Sequence, residues 1–326
     1  MIARAADRWT AFWFAPTDPA TLALVRIAFG TLALLWTLSL APDLGAFFSP
    51  AGLVGGSAPR WSGGQWSVLW PADSALAIGA VYVALLVACA GVALGWRTRW
   101  CAVIVFVGLT SLQRANPYVF NSGDTLLRLL ALYVMISPAG AEFSLDRLRA
   151  RRRGAAARLI PAWPLRLIQI QVSVMYLGAV WSKLHGPTWR DGTAASYAAR
   201  LPDLVRFPLG RVFEDSALAA QIATYATLAV ESSLAVLIWH RRTRPFAITA
   251  GVALHLSIDL SIRVGFFTLA VLVAYLSFAD PRRVRAAVAA ARRFRALERE
   301  PEGVRPALTA GDSAGACGRR AGASIP

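Results

Sequence analysis

The feature that most constrains this chain is the recurrence of apolar runs close to the roughly 20 residues an α-helix needs to cross a bilayer. They cover 20–42, 74–95, 100–114, 122–138, 163–184, 216–239, 245–262 and 264–279, the third and eighth being the shortest. With 56% hydrophobic residues in 326, the chain carries more apolar surface than one soluble core could hide. The runs predict an all-α, polytopic integral membrane bundle of about eight transmembrane helices.

Charge gives the orientation. A formal net charge of +16 would suggest nucleic acid in a soluble protein, but cytoplasmic loops of membrane proteins collect arginine and lysine. With both termini cytoplasmic, 24 basic residues fall on the inner side, eight on the outer side, and two, Arg26 and Arg128, within spans. Nucleic acid is therefore not an expected partner. Three regions follow: an interfacial N-terminal segment, 1–19, with Trp9, Phe12, Trp13 and Phe14; a transmembrane domain, 20–280; and a basic cytoplasmic tail, 281–326, helical at first and then disordered. The arginine-rich connector 147–158 suits anionic lipid of the inner leaflet. The first apolar run is long enough to span and is read as a retained helix rather than a cleaved signal. An outer loop, 42–71, holds Trp61, Trp66 and Trp70 and could cap a cavity.

Cys89, Cys101 and Cys317 form no Cys-x-x-C or Cys/His ligand spacing, so neither a disulfide framework nor a metal site is expected. Nor is there a P-loop or a nucleotide-binding pattern.

Lys183 is the one lysine among 34 basic residues. Guanidinium keeps its proton, whereas an ammonium in apolar surroundings can become a neutral base. Gln169, Ser173, Tyr176, Val180 and Lys183 are spaced four, three, four and three apart, which places them on one helical stripe facing the bundle. A Gly-Pro turn follows at once and adds His185, Trp189 and Asp191. The structural alternative is that Lys183 snorkels while Trp189 and Arg190 anchor the interface. His255, Asp259 and Arg263 share a later helical face, where each could pair with the next. Asp124 and Arg128 form an i, i+4 candidate ion pair, and Arg26 is positioned to snorkel or to pair with Glu231 or another acid. Asn121 and Asp124 belong to a polar outer turn on the same side as Lys183.

Arg26-Ile-Ala-Phe-Gly30, Gly95-Trp-Arg-Thr-Arg99, Asn121-Ser-Gly-Asp124, Ser144-Leu-Asp146, the stretch from Gln169 to Thr193, and Leu254-His255-Leu256 resemble, in order and spacing, the HTTM domain. This is the membrane module shared with vitamin K-dependent gamma-carboxylase, and the resemblance runs from about residue 17 to 280. It implies that Lys183, before Leu184, is the base that deprotonates a vitamin K-like quinone in its reduced form. It also implies that His255 belongs to the quinone site and that the site faces outward. Two departures stand against carboxylation of protein glutamate: Ser182 occupies the position of a first lysine, and the large luminal domain is not in this sequence. The sporulation-delaying protein B family, which assists maturation of a secreted peptide, has a similar stretch from Gln169 through Tyr176 and Lys183 to Thr193.

Two functions are carried forward. The first is an enzyme acting on a quinone-like or other lipid-soluble substrate, with Lys183 and His255 catalytic and Gln169, Tyr176, His185, Trp189, Asp191, Asp259, Asn121 and Asp124 around the ligand. The second is a non-catalytic helper for a secreted peptide or membrane partner. A secondary transporter is a third reading, drawn from the buried Glu231, Asp259 and Arg26 and from an echo between 95–99 and 239–244. The expected location is the cell membrane, specifically a bacterial inner membrane.

Overall fold

The computed structural model describes residues 2–49, 51–53, 66–69, 74–201, 203–207 and 211–297. Trp61 and Trp70 of the outer loop lie outside them, as does the tail beyond residue 297. The helices are α1 (Ile2–Phe14), α2 (Ala20–Ser39), α3 (Leu44–Phe48), α4 (Ala75–Leu94), α5 (Thr98–Ala115), α6 (Ser122–Ile136), α7 (Leu145–Arg152) and α8 (Trp163–His185). They continue with α9 (Pro187–Arg190), α10 (Ala194–Ala199), α11 (Arg211–Asp215), α12 (Ala217–Leu237), α13 (Arg244–Ser261), α14 (Phe267–Tyr275) and α15 (Pro281–Leu297). Two dipeptide strands, β1 (Pro16–Thr17) and β2 (Ile160–Pro161), pair antiparallel. Residues up to Val284 make one compact unit, and the second unit, from Arg285 on, is described only through the remainder of α15.

Each predicted apolar run coincides with a helix. Among the described residues four stretches are long and apolar enough to cross a membrane: Ala20–Phe48, Ala75–Leu94, Trp163–His185 and Ala217–Leu237. The others fall short for identifiable reasons. At 1.5 Å per residue the 15 residues of α6 reach roughly 22 Å, less than the roughly 30 Å hydrocarbon core, and they include Asp124 and Arg128. Phe267–Phe278 is apolar but short, and α13 carries Arg244, His255 and Asp259.

Local sequence sets the helix ends. The side chains of Ser74, Ser144 and Ser216 accept from backbone amides three residues on, capping α4, α7 and α12. Asn121 and Asp124 form a reciprocal capping box at α6. Gly95, at φ +69°, ends α4 in the left-handed region, and a Cβ there would collide with Ser144 and the Arg26 guanidinium.

The core lies among α2, α4, α5, α6 and α14 and takes in one face of α8. At Gly30, α2 approaches α4 so closely that a Cβ would strike the backbone of Ala93. One turn earlier, the wholly buried Arg26 donates from Nη1 to the carbonyls of Val92 (2.8 Å) and Ala93 (3.0 Å), and from Nη2 to that of Phe143 (2.6 Å). Its expected acidic partner is thus replaced by the C-terminal carbonyls of α4, where a helix presents unsatisfied acceptors and partial negative charge. Asp146 closes the same corner by accepting from the Arg97 and Thr98 amides, both at 2.8 Å, and from the Thr98 hydroxyl at 2.7 Å.

The echo between 95–99 and 239–244 does not extend to structure. In the second turn Arg244 donates to the carbonyls of Ile238 and Trp239 and lies over the Phe278 ring, with no left-handed glycine.

Candidate functional site

The stripe on α8 faces inward and each polar member finds a partner. Gln169 Nε2 donates to the Ser277 carbonyl at 2.7 Å, and its Oε1 accepts from Arg166 at 2.9 Å. Ser173 Oγ accepts from the Trp239 indole at 2.7 Å. The buried Tyr176 hydroxyl sits 2.6 Å from His255 Nε2 and also hydrogen-bonds the Tyr275 hydroxyl. One hydroxyl therefore joins α8, α13 and α14. His255 is walled by Phe267, ring to ring at 5.4 Å, and its Nδ1 is buried without a partner among the described residues.

Two turns beyond Tyr176, the Lys183 ammonium pairs with the Glu231 carboxylate on α12. The Trp189 indole covers the same ammonium at 4.9 Å. Glu231 Oε1 takes the ion pair, while Oε2 is buried and unpartnered among the described residues. From its place in the first apolar run, Arg26 is expected to snorkel or to pair with Glu231 or another acid. The two belong instead to separate networks.

Lys183 and Trp189 open onto a cavity of about 720 Å³, within the usual range for small-molecule sites. Its walls are α12 and α13, with Ala223, Ala226, Thr227, Val230, Leu254 and Ser257 among the lining, and Lys183 is the one charged group there among the described residues. The segment after α8 forms the roof. Tyr225 donates to the Arg190 carbonyl at 2.8 Å, and Thr224 accepts from the Ala195 amide at 3.1 Å, fastening 187–199 onto α12. Gly192, at φ +74°, makes the turn that permits this.

Other sequence candidates lie elsewhere. His185 is exposed and bonds back to the Trp181 carbonyl at 2.7 Å, and Asp191 is exposed at the end of α9. Neither lines the cavity. Asp259 pairs with Arg206 at 3.4 Å rather than with a neighbour on α13, because 203–207 lies antiparallel along the end of that helix through the Val205–Ile262 bridge. Asn121 and Asp124 serve the start of α6: Asp124 accepts from the Trp36 indole at 2.5 Å and from the Asn121 amide at 2.7 Å. Arg128 forms no salt bridge with it. One carboxylate oxygen is engaged by the cap and the other by the Trp36 indole. That turn still approaches the site indirectly, since Phe267 packs against Gly123 and against His255.

Among the described residues no three His, Cys, Asp or Glu side chains gather to hold a metal ion. The arrangement instead offers an amine paired with a carboxylate at the wall of an apolar chamber. Tyr275 was missed by sequence reasoning, its only signal being a hydroxyl within the apolar run of α14.

A family model described as HTTM domain matches residues 14–282. No solved structure matches the chain.

Proposed function

The chain belongs to the HTTM domain family, and on that premise we propose that it uses Lys183 as a base toward a quinone-like or other lipid-soluble, weakly acidic substrate held between α12 and α13. One observation carries the reading: the only lysine of the chain is also, among the described residues, the only charged one lining the apolar cavity. Apolar walls hold the substrate body, Trp189 and Glu231 keep the Lys183 side chain in place, and the amine meets the acidic hydroxyl. Tyr176 orients His255 from behind this wall, making His255 a positioning group in the described geometry. In the bilayer all eight main helices cross, the short ones with local thinning and snorkelling of flanking residues, and the arginine distribution supports both termini inside and Lys183 toward the outer face. A bacterial inner membrane fits that arrangement.

The test is mass spectrometry of the lipid extract from purified protein. A quinone-class molecule should be retained by the wild type and lost when Ala253→Trp fills the cavity. Recovery of bilayer phospholipid alone from both would sink the reading.

A helper function has one observation in its favour: Tyr197, Leu201, Leu204 and Phe207 are exposed along the roof segment, where a peptide could dock. Under that reading Lys183→Arg would preserve full function, whereas an obligatory base tolerates no guanidinium.

A further inference from the structure

We propose that Glu231 is the proton acceptor of the Lys183 site and the group that sets its net charge, an inference that rests on the reading of Lys183 as the substrate-facing base. Lys183 is the more accessible of the two, its side chain 22% exposed against 6% for Glu231, and it alone lines the cavity. A ligand therefore meets the amine with the carboxylate behind it. An ammonium cannot take a proton until it gives one up, and the atom in contact to receive it is Glu231 Oε1.

Surroundings this apolar make the exchange accessible. An ion pair whose carboxylate is buried carries a desolvation cost, and moving one proton from nitrogen to oxygen turns it into an uncharged amine and carboxylic acid. The step balances. The substrate O–H bond breaks as an N–H bond forms on Lys183; another Lys183 N–H bond breaks as an O–H bond forms on Glu231. No electrons change hands. The substrate oxyanion ends beside the Lys183 ammonium, Glu231 is neutral, and the summed charge is zero before and after.

That neutrality makes Glu231 a selector. A neutral hydroxyl compound enters without unbalancing the site, whereas a preformed carboxylate would add one uncompensated negative charge beside Glu231. A lone lysine would choose the opposite way.

The experiment is native mass spectrometry of the full-length protein in detergent with equal amounts of para-dodecyl-ortho-chlorophenol and dodecanoate. The wild type should retain the phenol over dodecanoate by roughly tenfold or more, and Glu231→Gln should reverse the order, leaving Lys183 as an unbalanced cation. An unchanged order in Glu231→Gln, or a wild-type preference for dodecanoate, overturns the proposal. Infrared difference spectra of the wild type supply a measurement that needs no variant. Binding of this carbonyl-free phenol should produce the stretch of a protonated carboxylic acid. Binding as phenolate without that band overturns the role of Glu231 while leaving Lys183 as the base. If the wild type takes up neither compound, the reading of Lys183 fails first and this one with it.

Discussion

The Tyr176 hydroxyl stands 2.6 Å from His255 Nε2 and bonds Tyr275 as well, so a single oxygen on α8 serves two partners on two other helices. Removing it should cost more than removing either partner's contribution. Tyr176→Phe leaves a buried imidazole nitrogen and a buried phenol unmatched, and is expected to destabilise the purified protein by about 1–3 kcal/mol. Tyr275→Phe, which leaves the tyrosine–histidine bond intact, should cost less. Thermal unfolding of both variants in one detergent checks the order.

Lys183→Met strands the Glu231 carboxylate without its cation, and a broken buried pair typically costs about 3–5 kcal/mol. The lower end is expected, because the Lys183 side chain keeps 22% exposure. Lys183→Met with Glu231→Met should recover most of the loss. A double-mutant cycle on unfolding temperature reads the coupling, and additivity of the two single changes would contradict the pairing.

Arg26→Lys keeps a positive charge but cannot reproduce a fork that reaches Val92, Ala93 and Phe143 together. At least one buried carbonyl loses its donor, so a loss of about 1–3 kcal/mol is expected. Equal stability of Arg26→Lys and wild type would show that the charge alone matters.

Asp124→Asn places an amide NH2 against either the Trp36 indole or the Asn121 amide, each of which needs an acceptor. A cost of about 1–2 kcal/mol follows. Its coupling to Arg128→Gln should be within about 0.5 kcal/mol of zero, as for residues that share no contact.

The helices were legible because hydrophobic run length is a one-dimensional property, and every predicted run became a helix within a few residues of its bounds. The inward stripe of α8 was legible for a similar reason, since spacing by three and four fixes a face. Partners across helices were not. Arg26 looked as though it needed an acid, yet helix-end carbonyls satisfied it, and nothing in the residue types of Val92 or Phe143 marks them as acceptors. Glu231 and Lys183 are 48 positions apart, and only packing of α8 on α12 brings them together. Asp124 is a different case. Asn121 three residues before it is a capping-box pattern, and reading it would have assigned one carboxylate oxygen to the Asn121 amide in advance.

Arg26, lodged at the end of α4, also bears on how a ligand gets in. Any movement that parts α2 from α4 must break the bonds from Arg26 to the Val92 and Ala93 carbonyls, and the same guanidinium also holds the Phe143 carbonyl. The first half of the bundle is thereby riveted shut and behaves as a fixed wall. The cavity, by contrast, is lined on α12 and α13 by side chains that include the small Ala223, Ala226, Ala250 and Ala253. Under the proposed function, a ligand that reaches Lys183 enters the part of the bundle that Arg26 does not tie, the cavity walled by α12 and α13.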